Sequence, residues 1–146
     1  METIGIGCDH AGYDLKEIMK HYLESKGYNV KDYGTSSNQS VDYPDFIHPL
    51  ASDIDKGVYQ RGIIICGSGN GVSMTANKYM NVRAALCWKA EIAEMARLHN
   101  DANILSLPAR YITVDEAKQI VDIFLHTAFE GGRHKVRVQK IKNIIV

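Results

Sequence analysis

A chain of 146 residues with 17 Lys plus Arg against 17 Asp plus Glu carries no net charge at pH 7, which argues against a bulk electrostatic hold on nucleic acid or an acidic membrane and leaves any anion site to a local cluster. A hydrophobic content of 45% suits one domain, 1–146, with a core of its own, and no apolar run approaches the roughly 20 residues that span a bilayer. The three cysteines, Cys8, Cys66 and Cys87, form no CxxC pair; this disfavours a zinc knuckle or a disulfide framework and, with no signal peptide at the N-terminus, points to a reducing, cytoplasmic setting.

Along the chain, Ile4 to Cys8 is a short apolar and glycine run that predicts a buried strand. Leu15, Ile18, Met19, Tyr22 and Leu23 keep helical spacing, and Gly27 supplies the stop. Tyr28 to Tyr33 alternates as a strand, Ser36 to Ser40 is a polar loop, and Asp45 to Lys56 predicts a helix ending at Gly57. Arg61 to Cys66 holds the run Ile63-Ile64-Ile65, which suits a strand covered on both faces of a parallel sheet. A glycine-rich segment, Gly67 to Gly71, leads into a helix reaching about Tyr79. Val82 to Cys87 predicts a strand, Lys89 to His99 a helix with Ile92, Met95, Ala96 and His99 on one side, and Asn103 to Leu107 another strand. Thr113 and Glu116 have capping-box spacing for a helix towards His126, and a last helix after Gly131-Gly132 carries Arg133 and Arg137. Strands alternating with helices predict an α/β fold with a mostly parallel central sheet, and ligands in such sheets collect outside the carboxyl ends of the strands. Cys8-Asp9-His10, Cys66 to Gly71 and Cys87-Trp88 all fall there.

The segment Cys66-Gly67-Ser68-Gly69-Asn70-Gly71 joins a predicted strand to a predicted helix. Its alternate glycines let backbone N–H groups face an anion, and the helix start adds positive potential. It is neither G-x-G-x-x-G nor a Walker loop. Cys66 at its mouth has two readings: the buried end of a strand, or a thiolate base able to remove a proton from carbon beside a carbonyl. Ser68 can move protons between substrate oxygens. Cys8 and Cys87 lack such a loop and read as packing residues.

Asp9 can bind sugar hydroxyls or cap the first helix, and the His10 imidazole can reach an anion. His99, closing a helix, is either a C-terminal charge device or an acid–base group able to open a cyclic sugar. Arg133 and Arg137 share one helix face, as a phosphate fork or as a solvated basic face. Arg110 is a further cation candidate. His21, His48 and His126 read as ordinary surface residues.

Taken together, GCDHAG (Gly7 to Gly12), DYPD (Asp42 to Asp45), ICGSGNG (Ile65 to Gly71), ANK (Ala76 to Lys78), RLHNDAN (Arg97 to Asn103) and EGGRHKVRV (Glu130 to Val138) resemble, in order and over nearly the whole chain, the type-B ribose-5-phosphate isomerase family, which includes galactose-6-phosphate isomerase subunits. The resemblance implies a Rossmann-like three-layer sandwich and a homodimer or dimer of dimers with active sites shared between subunits. It implies a sugar-phosphate substrate and no cofactor or metal. It implies that Cys66 moves the proton between C1 and C2, that the Gly67, Gly69, Asn70 and Gly71 stretch holds the enediolate with help from Ser68, and that His99 opens the furanose ring, oriented by Asp42. Asp9, Tyr43 and Asn100 would contact sugar oxygens, and His10, Arg110, Arg133 and Arg137 the phosphate. Ser68 stands where the family often has Thr. A hexose 6-phosphate isomerase and a non-catalytic sugar-phosphate sensor are the alternatives.

Overall fold

In the structure, a computed structural model that describes residues 1–143, the alternating pattern becomes β1 (Thr3–Cys8), α1 (Tyr13–Ser25), β2 (Asn29–Asp32), α2 (Tyr43–Asp55), β3 (Arg61–Cys66), α3 (Asn70–Ala76), β4 (Ala84–Leu86), α4 (Ala90–Asn100), β5 (Ile104–Pro108), α5 (Val114–His126) and α6 (Arg133–Lys140). The strands form one sheet in the order β2-β1-β3-β5-β4, and every neighbouring pair is parallel. With helices on both faces, this is the α/β fold with a parallel sheet that the pattern predicts, in the three-layer form that the resemblance implies.

Side chains of the central strands alternate between two cores. Ile63 and Ile65 of β3 join Ile4, Ile6, Leu105 and Leu107 beneath α1, α4 and α5. Ile64 and Cys66 face the other way, with Ile104, beneath α2 and α3. Period two therefore decides that Cys66 points to the α2/α3 side. That layer lies close because glycines floor it: a Cβ on Gly62 would stand 3.0 Å from Leu50 Cδ2, and one on Gly7 3.4 Å from Leu50 Cδ1.

Some boundaries differ from those predicted. The strand predicted over Val82 to Cys87 contracts to Ala84–Leu86, because the amides of Arg83 and Ala84 at this sheet edge are taken by the side chains of Asn103 and Asn77, each at 2.8 Å. Helix α3 stops at Ala76 rather than Tyr79, where i→i+3 bonds turn the chain (Lys78 N to Thr75 O, 3.2 Å). In α4, Ala93 and Ala96 form the buried side, while Met95 is exposed. The capping box forms as the sequence implies, Glu116 N donating to Thr113 Oγ1 at 3.1 Å and Thr113 N to Glu116 Oε1 at 2.8 Å. Lys16, only 1% exposed, places a charge inside the α1 stripe; its ammonium donates to both Asp32 carboxylate oxygens at 2.8 Å and ties α1 to β2. No helix among the described residues is long and apolar enough to cross a membrane.

Gly12 marks the closest approach of α1 to the sheet. A Cβ there would lie 2.5 Å from the Ile65 carbonyl oxygen, a backbone atom that cannot swing aside. Gly12→Ala is expected to lose about 1–3 kcal/mol of stability as α1 is forced off β3, read as a lower urea midpoint with an unchanged m value.

Candidate active site

Register brings the site together. Cys8 pairs with Ile65 and Cys66 with Pro108, so the residues following β1, β3 and β5 emerge side by side at one edge of the sheet. Chain direction changes sides between β1 and β3, which makes this edge a topological switch point. A cleft of about 300 Å³ opens there, lined by Asp9, His10, Tyr43, Cys66, Gly67, Ser68, Gly71, Arg110 and their neighbours Ala11 and Tyr111.

Cys66 is buried, and its Sγ accepts a hydrogen bond from the Gly69 amide at 3.1 Å. Burial pushes the thiols of Cys8 and Cys87 up to about 12, so they stay protonated and pack. Gly69 has φ 78°, and a Cβ there would stand 2.4 Å from Leu86 Cδ1; only glycine fits. Its carbonyl accepts from Ser73 Oγ at 2.6 Å and Ser106 Oγ at 2.8 Å, which clamps the loop from behind. Neither serine was singled out in the sequence. Ser106 had a signal, being the one hydroxyl inside the buried run ILSLP.

Of the loop amides, Gly69 is spent on Cys66 and Asn70 on Ser68 Oγ at 3.2 Å. The amides of Gly67, Ser68 and Gly71 make no hydrogen bond to a side chain among the described residues. Helix α3 has 7 residues and starts inside the loop at Asn70. Gly71 leaves room for Tyr43, whose ring would lie 2.5 Å from an added Cβ. Asn70 turns away from the cleft to a neighbouring hollow shared with Leu86 and Trp88.

Around the thiol, Asp9 is 8% exposed and accepts from the Gly12 amide at 3.1 Å through Oδ1, leaving Oδ2 for a ligand. The helix N-cap is Gly12, so Asp9 braces the turn before α1 instead of capping it directly. His10 Nδ1 accepts from the Val41 amide at 3.2 Å, which in the neutral ring places the proton on Nε2, the nitrogen left to donate. Arg110 lies over Gly67, where a Cβ would meet its guanidinium at 3.0 Å. Backbone bonds from Ala109 N to Cys66 O (2.8 Å) and Arg110 N to Gly67 O (3.0 Å) hold it there. No carboxylate pairs with Arg110 among the described residues. Asp42, exposed, is the N-cap of α2, one residue from Tyr43.

The remaining candidates lie elsewhere. Helix α4 returns from the carboxyl to the amino edge of the sheet, so His99 and Asn100 at its end sit one strand length from Cys66, roughly 17 Å for five residues. Arg133 and Arg137 are on α6, which packs on α4. Within one chain, Cys66, Ser68, Asp9, His10, Tyr43 and Arg110 come together, and His99, Asn100, Arg133 and Arg137 form a second group. Asn100 borders a larger hollow, about 530 Å³, with Met80, Arg83 and Ile141 at the β4 edge.

His134, in the first turn of α6, is missed by sequence reasoning although it stands inside the quoted EGGRHKVRV segment. It is 6% exposed and stacked on His99. Burial, then His99, Arg133 and Arg137 against the pull of Glu130, hold its pKa below the ordinary value of 6.5. Unfolded chains therefore bind this proton first, and the stability it contributes falls as pH drops through 6.5 towards the lower folded value. Hydrogen exchange of the α6 amides, corrected for intrinsic rates, is expected to lose protection as pH falls through 6.5, while the β3 amides hold theirs.

The sequence matches the family described as Ribose/Galactose Isomerase over residues 4–141. It is 42% identical over 145 residues to ribose-5-phosphate isomerase B of Escherichia coli K12, covering 99% of this chain and 97% of that protein. The solved ribose-5-phosphate isomerase B of Clostridium thermocellum superposes with a TM-score of 0.95 at 50% identity, over 97% of this chain and 95% of the other. A Mycoplasma genitalium ribose-5-phosphate isomerase B with bound ribulose-5-phosphate superposes with a TM-score of 0.92 at 43% identity, over 97% and 94% of the two chains.

Proposed function

The chain belongs to the ribose/galactose isomerase family, and from that premise we infer that it is an aldose–ketose isomerase interconverting ribose 5-phosphate and ribulose 5-phosphate. The observation that carries this reading is the Cys66 thiol, held by the Gly69 amide at the floor of a cleft with Arg110 and His10 on its wall. The relatives named ribose-5-phosphate isomerase B favour the pentose over a six-carbon phosphate. A binding-only sensor would have no use for a hydrogen-bonded thiol.

Cys66 takes the C2 proton of the open aldose. The electron pair moves into the C1–C2 bond, the carbonyl pair moves to O1, and an enediolate results. The Gly67, Ser68 and Gly71 amides donate to its oxygens, each such donor being worth about 10²–10³ in rate. Ser68 moves the hydroxyl proton between O2 and O1 while Cys66 returns its proton to C1, giving the ketose. Asp9 and Tyr43 hold sugar hydroxyls, and His10 and Arg110 hold the phosphate, so that binding energy far from C1 and C2 orients them.

The ring must open before this chemistry, and His99 stands at the wrong edge of its own subunit to do it. We therefore propose a homodimer, alone or paired into a tetramer, in which each cleft is completed by His99, Asn100, Arg133 and Arg137 of the partner subunit. Asp42, on the cleft side, orients the incoming imidazole. Arg110 and the two α6 arginines then grip one phosphate from different subunits. The exposed Met80 and Ile141 beside Asn100 give apolar surface for a second subunit to cover. Three free, buried cysteines suit a cytoplasmic enzyme of the pentose phosphate pathway.

Cys66→Ala is expected to lower turnover of ribose 5-phosphate, assayed in chelator, by about 10³-fold or more, with binding of a non-reactive sugar phosphate nearly unchanged by calorimetry. Unchanged turnover would remove Cys66 as the base. Mixing Cys66→Ala with His99→Ala, each inactive on ribose 5-phosphate, is expected after subunit exchange to restore about a quarter of wild-type turnover of that substrate, since half the dimers then hold one intact site. No recovery after verified exchange would show that the sites are not shared.

A further inference from the structure

Away from the cleft, one cluster of titratable side chains is used only in part by this chemistry: His99 on the last turn of α4, Glu130 in the segment before α6, and His134 in its first turn. The two imidazoles lie face to face, centroids 4.2 Å apart and planes 13° from parallel. Glu130 Oε2 is 3.8 Å from His99 Nε2. His134 Nε2 is buried with no hydrogen-bond partner among the described residues. Leaving a buried polar atom unpaired is destabilising, so an apolar side chain would fill this place better if filling were its whole role.

The backbone builds the stack. Glu130 N donates to Leu98 O at 3.1 Å, Arg97 Nε donates to Thr127 O at 2.9 Å, and His134 N donates to Gly131 O at 3.1 Å. Gly131 and Gly132, with φ of 73° and 55°, turn the chain so that α6 begins with its second residue against His99. The ligand atoms of the three residues lie within 4.8 Å of one another. A shared metal nevertheless fits poorly, because a cation must lie near both ring planes to meet their lone pairs, and nearly parallel stacked planes do not meet at one point.

We propose that His134 is the positioning residue of His99: its flat, buried ring fixes the plane in which the His99 imidazole meets the sugar, so that ring opening depends on the two-ring stack. The proposal rests on the reading of His99 as the ring-opening group. In that step the C1–O4 bond breaks with its electron pair going to O4, O4 takes a proton and the C1 hydroxyl loses one. An imidazole carrying either proton must keep a fixed plane while its charge changes. The groups facing the pair are Glu130, Arg133 and Arg137, and with this surrounding His134 stays neutral. A neutral ring attracts an imidazolium placed over its face, whereas two imidazoliums repel. The stack can thus hold His99 in either protonation state.

Substrate chemistry separates this role from general damage. Ribose 5-phosphate is mainly a closed ring, but ribulose 5-phosphate cannot close one, because its C5 oxygen carries the phosphate. Only the forward direction needs the ring-opening step; in reverse, the open aldose cyclises on its own. His134→Leu is expected to lower kcat, at saturating substrate, by about tenfold or more with ribose 5-phosphate and by no more than about threefold with ribulose 5-phosphate, KM values shifting so that the ratio of the two kcat/KM values stays at the equilibrium constant. His134→Phe keeps a flat ring and is expected to stay within about threefold of wild type in both directions. His134→Asn, which removes the ring but keeps a polar group, should behave as the leucine variant does, and it serves if leucine disturbs folding. Equal slowing of both directions in the Leu and Asn variants, or a Phe variant as impaired as they are, overturns the proposal. His99→Ala assayed alongside separates the two levels. If it shows the directional split and the Leu and Asn variants do not, only the positioning role falls. If it shows no split, the ring-opening reading of His99 falls, and the proposal with it.

Discussion

Parallel pairing of β3 with β1 on one side and β5 on the other is the constraint from which the site follows. Adjacent strands lie about 4.8 Å apart, so Asp9, Cys66 and Ala109 leave the sheet as neighbours although they are separated by scores of residues in sequence. Parallel strands need crossover helices, and those helices cover both faces; the chemistry is left at the strand ends, where backbone groups are no longer committed to the ladder. The cleft wall is tied together by the same logic, since the turn after β5 bonds back to the Cys66 and Gly67 carbonyls and carries Arg110 into place.

Glycine does two separate jobs in this frame. In β1 and β3 it is a spacer: Gly5, Gly7 and Gly62 let Leu50 press α2 onto the sheet, and Gly12 lets α1 touch the Ile65 carbonyl. In the loop it is a conformational necessity at Gly69, whose positive φ turns its amide onto the Cys66 sulfur. Cys8 and Cys87 pack among apolar side chains, and Cys66 ends its strand against the backbone N–H of Gly69.

The second polar group obeys the same topology from the opposite side. A helix that returns antiparallel to the strands must end at the amino edge, so His99 and Asn100 are carried away from the Cys66 loop by the crossover that builds the sheet. Arg133 and Arg137 follow because α6 docks on α4. The proposed second subunit answers this topological obstacle, because its α4 and α6 would bring to the cleft the groups that one chain carries to the opposite edge.

Much of this was legible in the residues. The β-branched run 63–65 reads as a central strand, the capping box at Thr113 and Glu116 reads as a helix start, and six motifs in order mark the family. These signals are local: propensity, periodicity and turn chemistry act within a few residues, and function-bearing motifs keep their residue types. What local signals do not carry is distance between segments. The division of the site residues into two groups, the shortened edge strand at Ala84–Leu86, the clamp of Ser73 and Ser106 on Gly69, the buried charge of Lys16 and the stack of His134 on His99 all depend on which elements lie side by side. Charge and apolarity fix what a residue prefers, but only the packed sheet and helices decide which partner each side chain meets.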